Sequence, residues 1–110
     1  MRLTSEVFVA ALTRRLFADG GFAAVERRGA SAAGAVFVSV RGRDGAVRLF
    51  GPAPQSLSET GAERRFTEET VADDAGLARR LEREARFDPD FWLVDIETAE
   101  PERYLQIVSG

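Results

Sequence analysis

The most regular pattern of hydrophobic and polar positions lies at 81–97, LEREARFDPDFWLVDIE. Its first half carries charged helical pairs and ends at the Asp-Pro dipeptide at 88–89, because proline disfavours helical geometry in the residue before it. After that dipeptide, Trp92, Val94 and Ile96 alternate with side chains of the opposite face, which is the period of a strand with one buried side. The segment therefore predicts a charged helix followed by a core strand that buries its tryptophan.

The N-terminal part of the chain predicts a helix and then a strand. Thr4 or Ser5 can cap a helix that runs to about Ala18, where the Asp-Gly-Gly sequence at 19–21 is a strong stop. Apolar residues occupy two sides of this helix, so we expect it either to be central in the fold or to pack against a second chain. A less regular strand is predicted at 22–28.

A β-hairpin is predicted next, with strands at 35–41 and 46–50 joined by Asp-Gly at 44–45. A two-residue turn at this dipeptide would place Arg41 opposite Arg48. Like charges in that position are unfavourable unless nearby carboxylates neutralise them. The residues predicted to share the core face of the hairpin are Val38, Val40, Val47 and Leu49.

The remaining segments predict a loop, a strand, a helix and a short terminal element. The chain at 51–62 is expected to be a loop, because its prolines lack the amide that a central strand needs. A strand is predicted at 65–71, and Asp73 or Asp74 then caps the second helix. Residues 104–108 are expected to form a short edge strand or a docked tail.

These elements follow the order α-β-β-β-β-α-β and predict a single α+β domain at 1–97, with 98–110 as a C-terminal tail or short edge strand. We expect a mainly antiparallel sheet of four to six strands, with the two helices packed on one face. The composition agrees with an ordinary globular domain, since the 110 residues are 45% hydrophobic and 30% charged.

Charge and targeting patterns predict a cytoplasmic protein. No apolar run approaches the roughly 18–20 residues of a membrane span, and the N-terminus lacks the pattern of a signal peptide. The chain has no cysteine, which fits a reducing compartment. A net charge of −3 does not favour nucleic-acid binding, because domains of that kind are usually basic.

Missing residue types exclude several kinds of catalysis. The chain contains no histidine, cysteine, lysine or asparagine. This composition excludes an imidazole base, Ser-His-Asp and Cys-His nucleophile systems, Schiff-base lysines, and thiolate or imidazole metal sites. Tyr104 has no identifiable acidic or basic helper near it and is assigned no role. We therefore expect a non-enzymatic protein without a cofactor.

Four arginines are the candidate binding residues. Arg27, Arg28, Arg41 and Arg48 could hold a phosphate or carboxylate through paired guanidinium hydrogen bonds. Of these, the first two adjoin Gly29, where a ligand can approach the backbone. The alternative is that all four form solvated ion pairs with some of the eighteen carboxylates.

Asp95 and Glu97 are weak candidates for a metal site. They project from the same face of the final strand, and paired carboxylates suit Mg²⁺ or Mn²⁺. A metal-dependent hydrolase or nuclease-like activity is therefore an alternative, although the absent lysine departs from the restriction-nuclease pattern. The simpler interpretation is that both carboxylates pair with Arg41 and Arg48 across one sheet.

The order of several segments resembles the small bacterial family called domain of unknown function 1491. The segments are RLTSEVFVAALTRRLFADGGFAAVERRGASAAGAVFV, LFGPAPQ, RRF and LEREARFDPDFWLVDIE, and GPAPQ and FDPDFW are the most specific parts. The resemblance runs from Arg2 to about Glu97 and supplies no activity, cofactor or catalytic residues to carry over to this chain. From the residues alone, we expect a small binding or interaction module, homodimeric through the first helix or an exposed sheet edge.

Overall fold

The computed structural model describes residues 3–54 and 64–109, and within these ranges the chain forms two α-helices and six strands. None of the helices in this part is long and apolar enough to cross a lipid bilayer. The elements in chain order are α1 (Ser5–Ala18), β1 (Phe22–Arg27), β2 (Val36–Arg41), β3 (Val47–Pro52), β4 (Arg65–Glu69), α2 (Asp74–Phe87), β5 (Trp92–Glu97), a 3₁₀ helix (Pro101–Arg103) and β6 (Gln106–Ile107).

All six strands form one sheet in the order β1-β5-β2-β3-β4-β6. Three neighbouring pairs are antiparallel, whereas β2 with β5 and β4 with β6 are parallel. The predicted α+β class is confirmed, but the sheet is mixed rather than mainly antiparallel. The difference arises because α2 returns the chain across one face, so that β5 enters between β1 and β2 in the direction of β2.

The two helices pack on opposite faces of the sheet, so the prediction that both cover one face is wrong. On one face, Leu12 and Leu16 of α1 pack against the valines of β2 and β5. On the other, Leu77 of α2 packs against Phe37 and Leu49. Five of the six residues of β2 are buried, and a strand buried on both sides needs a helix on each face.

The β2–β3 hairpin has a register one residue away from the predicted one. Val40 pairs with Arg48 and Arg41 pairs with Val47, so the two arginines lie on opposite faces and not opposite each other. The turn has three residues rather than two. It ends at Gly45, whose φ of 82° is the left-handed conformation that three-residue turns place at their last position.

This shift of one residue redistributes the side chains of the hairpin between the two faces. The predicted common core face comprises Val38, Val40, Val47 and Leu49, and that prediction is wrong. The two valines of β2 face α1, whereas the two residues of β3 face α2. All four stay buried because each face of the sheet carries its own helix.

β3 continues two residues beyond its predicted end, through Gly51 and Pro52. Pro52 pairs with Phe66 of β4, whereas the ladder between β2 and β3 ends at Phe50. Proline fits there because its nitrogen points to the β2 side, beyond the last β2 pair. The predicted loop at 51–62 lies, from residue 55 onward, outside the described residues.

Trp92 is buried in the α1 face of the core, at 1% exposure, and its indole Nε1 donates a hydrogen bond of 2.8 Å to the Ala30 carbonyl. The Ala30 amide in turn donates to the Asp90 carbonyl at 2.9 Å. Gly29 must lack a side chain, because a Cβ there would overlap the Asp90 carbonyl. The small-residue loop after β1 and the start of β5 therefore hold each other in place.

The chain after β5 forms the second edge of the sheet. A 3₁₀ helix follows the strand, and β6 then pairs in parallel with β4. The Val108 amide extends this contact by donating to the Phe66 carbonyl at 2.8 Å. Tyr104 and Leu105 join the α1 side of the core, so this segment packs on the domain rather than extending from it.

Replacing Trp92 with alanine should lower the free energy of unfolding by about 3–5 kcal/mol. The change removes the largest fully buried side chain and leaves the Ala30 carbonyl without its indole donor. Urea unfolding followed by circular dichroism measures the effect, since the variant has no tryptophan fluorescence. Phe87→Ala, at a side chain 86% exposed, is the control and should change stability by less than about 0.5 kcal/mol. Equal effects of the two substitutions would contradict the buried position.

Candidate functional site

Arg41, one of the four predicted binding arginines, already pairs with protein carboxylates. Its Nη2 lies 2.7 Å from Asp74 Oδ1 at the start of α2, and its Nε lies 3.4 Å from Asp95 Oδ2 on β5. The hydrogen bond to Asp74 is the main reason that the pKa of Arg41 is raised, and the same bond lowers the pKa of Asp74. The guanidinium charge therefore joins α2 to the sheet.

Arg48 is paired on the other face of the sheet. Its Nε and Nη2 each donate to the Glu68 carboxylate at 2.8 Å, a two-pronged contact between β3 and β4. This hydrogen bonding lowers the pKa of Glu68. The guanidinium also lies 5.1 Å from the centre of the Phe50 ring. The predicted partners of Arg48 were the carboxylates of β5, which lie on the α2 side of the sheet. Arg48 lies on the α1 side and therefore pairs with Glu68 instead.

Arg27 and Arg28, at the end of β1, also diverge to opposite faces. Arg27 donates to the Pro89 carbonyl at 2.6 Å and lies over the Phe91 ring, whereas Arg28 pairs with Glu6 at 3.1 Å and lies over Trp92. The structure therefore does not bring the four predicted arginines into one site. Anion binding by these residues stays a prediction without a common cavity to support it.

Asp95 and Glu97 have different surroundings. Asp95 accepts a hydrogen bond of 2.6 Å from the buried Ser39 hydroxyl in addition to its contact with Arg41. Glu97 lies at the exposed end of β5 and has no ion pair within the described residues. The described ranges contain no group of three or more acidic side chains placed to share a metal ion.

Large apolar side chains are exposed on the outer side of α1. Val7 is 50% and Phe17 is 51% exposed, and Leu3, just before the helix, is nearly as open. Ala10 and Arg14 lie between them at the helical spacing of three and four residues. These five residues, Leu3, Val7, Ala10, Arg14 and Phe17, form what we call the α1 stripe.

The α1 stripe lies next to a free edge of the sheet. Phe22 at the start of β1 packs edge-on against Phe17, with 5.8 Å between ring centres, and Val25 of the same strand is also exposed. β1 has six residues, whereas β6 at the opposite edge has two. A strand of the length of β1 offers unpaired backbone groups that a very short edge strand does not.

A pocket of approximately 420 Å³ opens where β2 and β5, the parallel pair, reach their carboxyl ends. The C-terminus of α1, the β2–β3 turn and the 3₁₀ helix close its sides. We call it the end pocket, and the polar residues that line it include Asp19, Arg43, Glu97, Thr98, Arg103 and Tyr104.

Tyr104 is one of the end-pocket residues that sequence analysis missed, and the prediction that it has no acidic or basic helper near it is wrong. Its hydroxyl donates a hydrogen bond of 2.7 Å to Asp19 Oδ2, and this bond together with burial raises the pKa of Tyr104. The guanidinium groups of Arg15 and Arg103 lie 5.2 and 5.9 Å from the centre of its ring. Asp19 is 85 positions away in the chain, so no local pattern could have paired the two residues.

Comparison with known proteins identifies the family. The model of the family described as protein of unknown function (DUF1491) matches residues 3–106, and the chain therefore belongs to the DUF1491 family. The match extends past Glu97, where the resemblance noted from sequence ends. Among curated proteins, none matches this chain.

Solved structures of similar proteins have the same fold. The solution structure of protein Atu0922 from A. tumefaciens is 53% identical over 100% of this chain and 98% of its own, with a TM-score of 0.88. A crystal structure of a DUF1491 family protein from Caulobacter crescentus CB15 is 37% identical over 99% and 100%, with a TM-score of 0.79. An NMR structure of a DUF1491 family protein from the same organism is 36% identical over 99% of both chains, with a TM-score of 0.79.

Alkaline titration should report directly on Tyr104. It is the sole tyrosine in a chain without lysine, cysteine or histidine, so it is the side chain that ionises near pH 10. Because its folded-state pKa is raised, its contribution to stability is complete below about pH 10 and is lost as pH rises through the folded pKa.

Ultraviolet absorbance of tyrosinate and urea unfolding at several pH values measure the two effects. We expect the pH midpoint of tyrosine ionisation to be higher in the native protein than in denaturant. We also expect Tyr104→Phe to remove this pH dependence of stability. A native midpoint equal to that of the unfolded chain would show that the contact with Asp19 is not formed.

Proposed function

We propose that this protein is a small, non-enzymatic interaction module that forms a homodimer through the α1 stripe. The proposal rests on the positions of the exposed apolar side chains. Among the described residues, six large apolar side chains are exposed, and five of them belong to α1, its N-terminal flank or the adjoining β1. Apolar surface gathered in one region of a small protein is typical of an interface.

A second copy of the chain fits the α1 stripe because the two apolar ends of the stripe lie at equal distances on either side of Ala10. In a pair of antiparallel α1 helices related by a two-fold axis at Ala10, residues at equal distances from it meet. Leu3 and Phe17 each lie seven positions from Ala10, so large apolar residues meet at both ends. The small alanine at the centre allows the two helix backbones to approach closely.

Two charged residues of α1, one within the stripe and one beside it, follow the same symmetry. Glu6 and Arg14 lie four positions on either side of Ala10 and have opposite charges, so each would face the other on the second copy. Both side chains are exposed. Glu6 contacts Arg28 within its own chain, and Arg14 has no ion-pair partner within residues 3–54 and 64–109.

A bacterial cytoplasmic location is part of this proposal. The similar solved structures come from A. tumefaciens and Caulobacter crescentus, and the cysteine-free composition fits a reducing compartment. Two alternatives from the sequence have weaker structural support. The four predicted arginines lie on both faces of the sheet, and Asp95 is held by Ser39 and Arg41.

Charge reversal tests the dimer and its helix pairing together. Glu6→Arg and Arg14→Glu should each raise the dimer dissociation constant by roughly tenfold or more, since symmetry places like charges at two contacts. The double variant should restore association, because the two charges face each other again. Sedimentation equilibrium measures all three constants.

Phe87→Ser is the matched control, because it removes the exposed apolar side chain that lies on α2, away from the stripe. It should leave the dissociation constant unchanged. A wild-type protein that stays monomeric at high micromolar concentration would refute the proposal. A dimer that tolerates both single reversals would instead place the contact elsewhere, with the β1 edge as the next surface to test.

A further inference from the structure

The end pocket lies in the position where open sheets with parallel strands commonly bind ligands, beyond the carboxyl ends of those strands. β2 and β5 run in parallel, and the pairing of Arg41 with Glu97 is the last of their ladder. From the ends of these strands, β2 continues into the β2–β3 turn and β5 continues toward the 3₁₀ helix. Both departing segments contribute charged side chains to the pocket.

Two charges of opposite sign in the pocket have no partner of their own. Across the described part of the chain, neither the Arg43 guanidinium nor the Glu97 carboxylate takes part in an ion pair. Both are exposed, Arg43 in the turn after β2 and Glu97 at the end of β5. Arg41 lines the same pocket, but it already forms ion pairs with Asp74 and Asp95.

The 3₁₀ helix contributes a second cation, Arg103, to the lining of the pocket. The Arg103 guanidinium contacts Glu100 at the long distance of 3.7 Å, and both side chains are well exposed. The backbone of Arg103 is fixed, because its carbonyl accepts a hydrogen bond of 2.7 Å from Arg15 Nη2. Tyr104 beside it is held by Asp19, so this wall of the pocket is ordered before any ligand arrives.

We propose that the end pocket binds a small zwitterion, a molecule that carries a carboxylate and an amine, such as a free amino acid. Arg43 and Arg103 receive the carboxylate, and Glu97 receives the ammonium group. Phe22, which is 45% exposed, offers an apolar surface for the remainder of the molecule. The volume of approximately 420 Å³ is within the usual range for small-molecule pockets.

The paired signs of the free charges select this ligand class over simpler ions. A simple anion would be attracted by Arg43 but repelled by Glu97, and a simple cation would be attracted by Glu97 but repelled by Arg43. A zwitterion can form an ion pair with both groups at once. This inference does not depend on the α1 dimer, because the charged groups of the pocket belong to one chain and lie outside the α1 stripe.

Titration of ¹⁵N-labelled protein with each of the standard L-amino acids, followed by NMR chemical shifts, tests the proposal. We expect at least one amino acid to shift the amides of Arg43, Thr98 and Tyr104. Its N-acetyl derivative lacks the ammonium group and its amide lacks the carboxylate, so each should bind roughly tenfold or more weakly. Equal binding of either derivative would overturn the zwitterion assignment, and so would no shift at about 10 mM of every amino acid.

Substitutions then locate the site. Arg43→Gln and Glu97→Gln should each weaken binding of the best amino acid by roughly tenfold or more, because each removes one charged contact. Arg79→Gln, at an exposed arginine of α2 outside the pocket, is the control and should bind as the wild type does. Unchanged affinity in both pocket variants would overturn the proposal. All three positions are exposed, so circular dichroism should show an unchanged fold.

Discussion

The fold depends on the parallel pairing of β2 with β5, which extends over six residue pairs from Val36–Trp92 to Arg41–Glu97. Parallel strands must be joined by a crossover, and here the crossover includes β3, β4 and α2. β5 therefore enters the sheet late in the chain, between β1 and β2, and completes the hydrogen bonding of both. The indole of Trp92 secures its start, because it fills the core and bonds to the loop that follows β1.

The two surfaces proposed to act arise from this same arrangement. β1 pairs with β5 alone and is therefore an edge strand, and α1 covers that part of the sheet with its outer side still exposed. Because β2 and β5 end on the same side of the sheet, Arg43 in the turn after β2 and Thr98 after β5 both line the end pocket. One topological feature thus explains both the apolar surface and the charged pocket.

Local patterns in the sequence predicted the elements well but not their arrangement. The alternation of Trp92, Val94 and Ile96 and the capping signals of both helices are properties of neighbouring residues, and the structure has those elements. The hairpin register depended on whether the turn held two or three residues, and Asp-Gly suits both. Arg48 was therefore predicted on the same face as Arg41, whereas it lies on the opposite one. The partnership of Tyr104 with Asp19 depends on how distant segments pack, and no sequence spacing records it.

Native-state hydrogen exchange tests the central role of the β2–β5 pair most directly, because it measures the opening free energy of each amide. We expect the slowest amides to lie in β2 and β5 and to exchange with a free energy equal to that of global unfolding. Amides of the edge strand β6 should open at lower free energy, because β6 is short and pairs on one side. Exchange of β5 by local opening, while β2, β3 and β4 stay protected, would contradict the account.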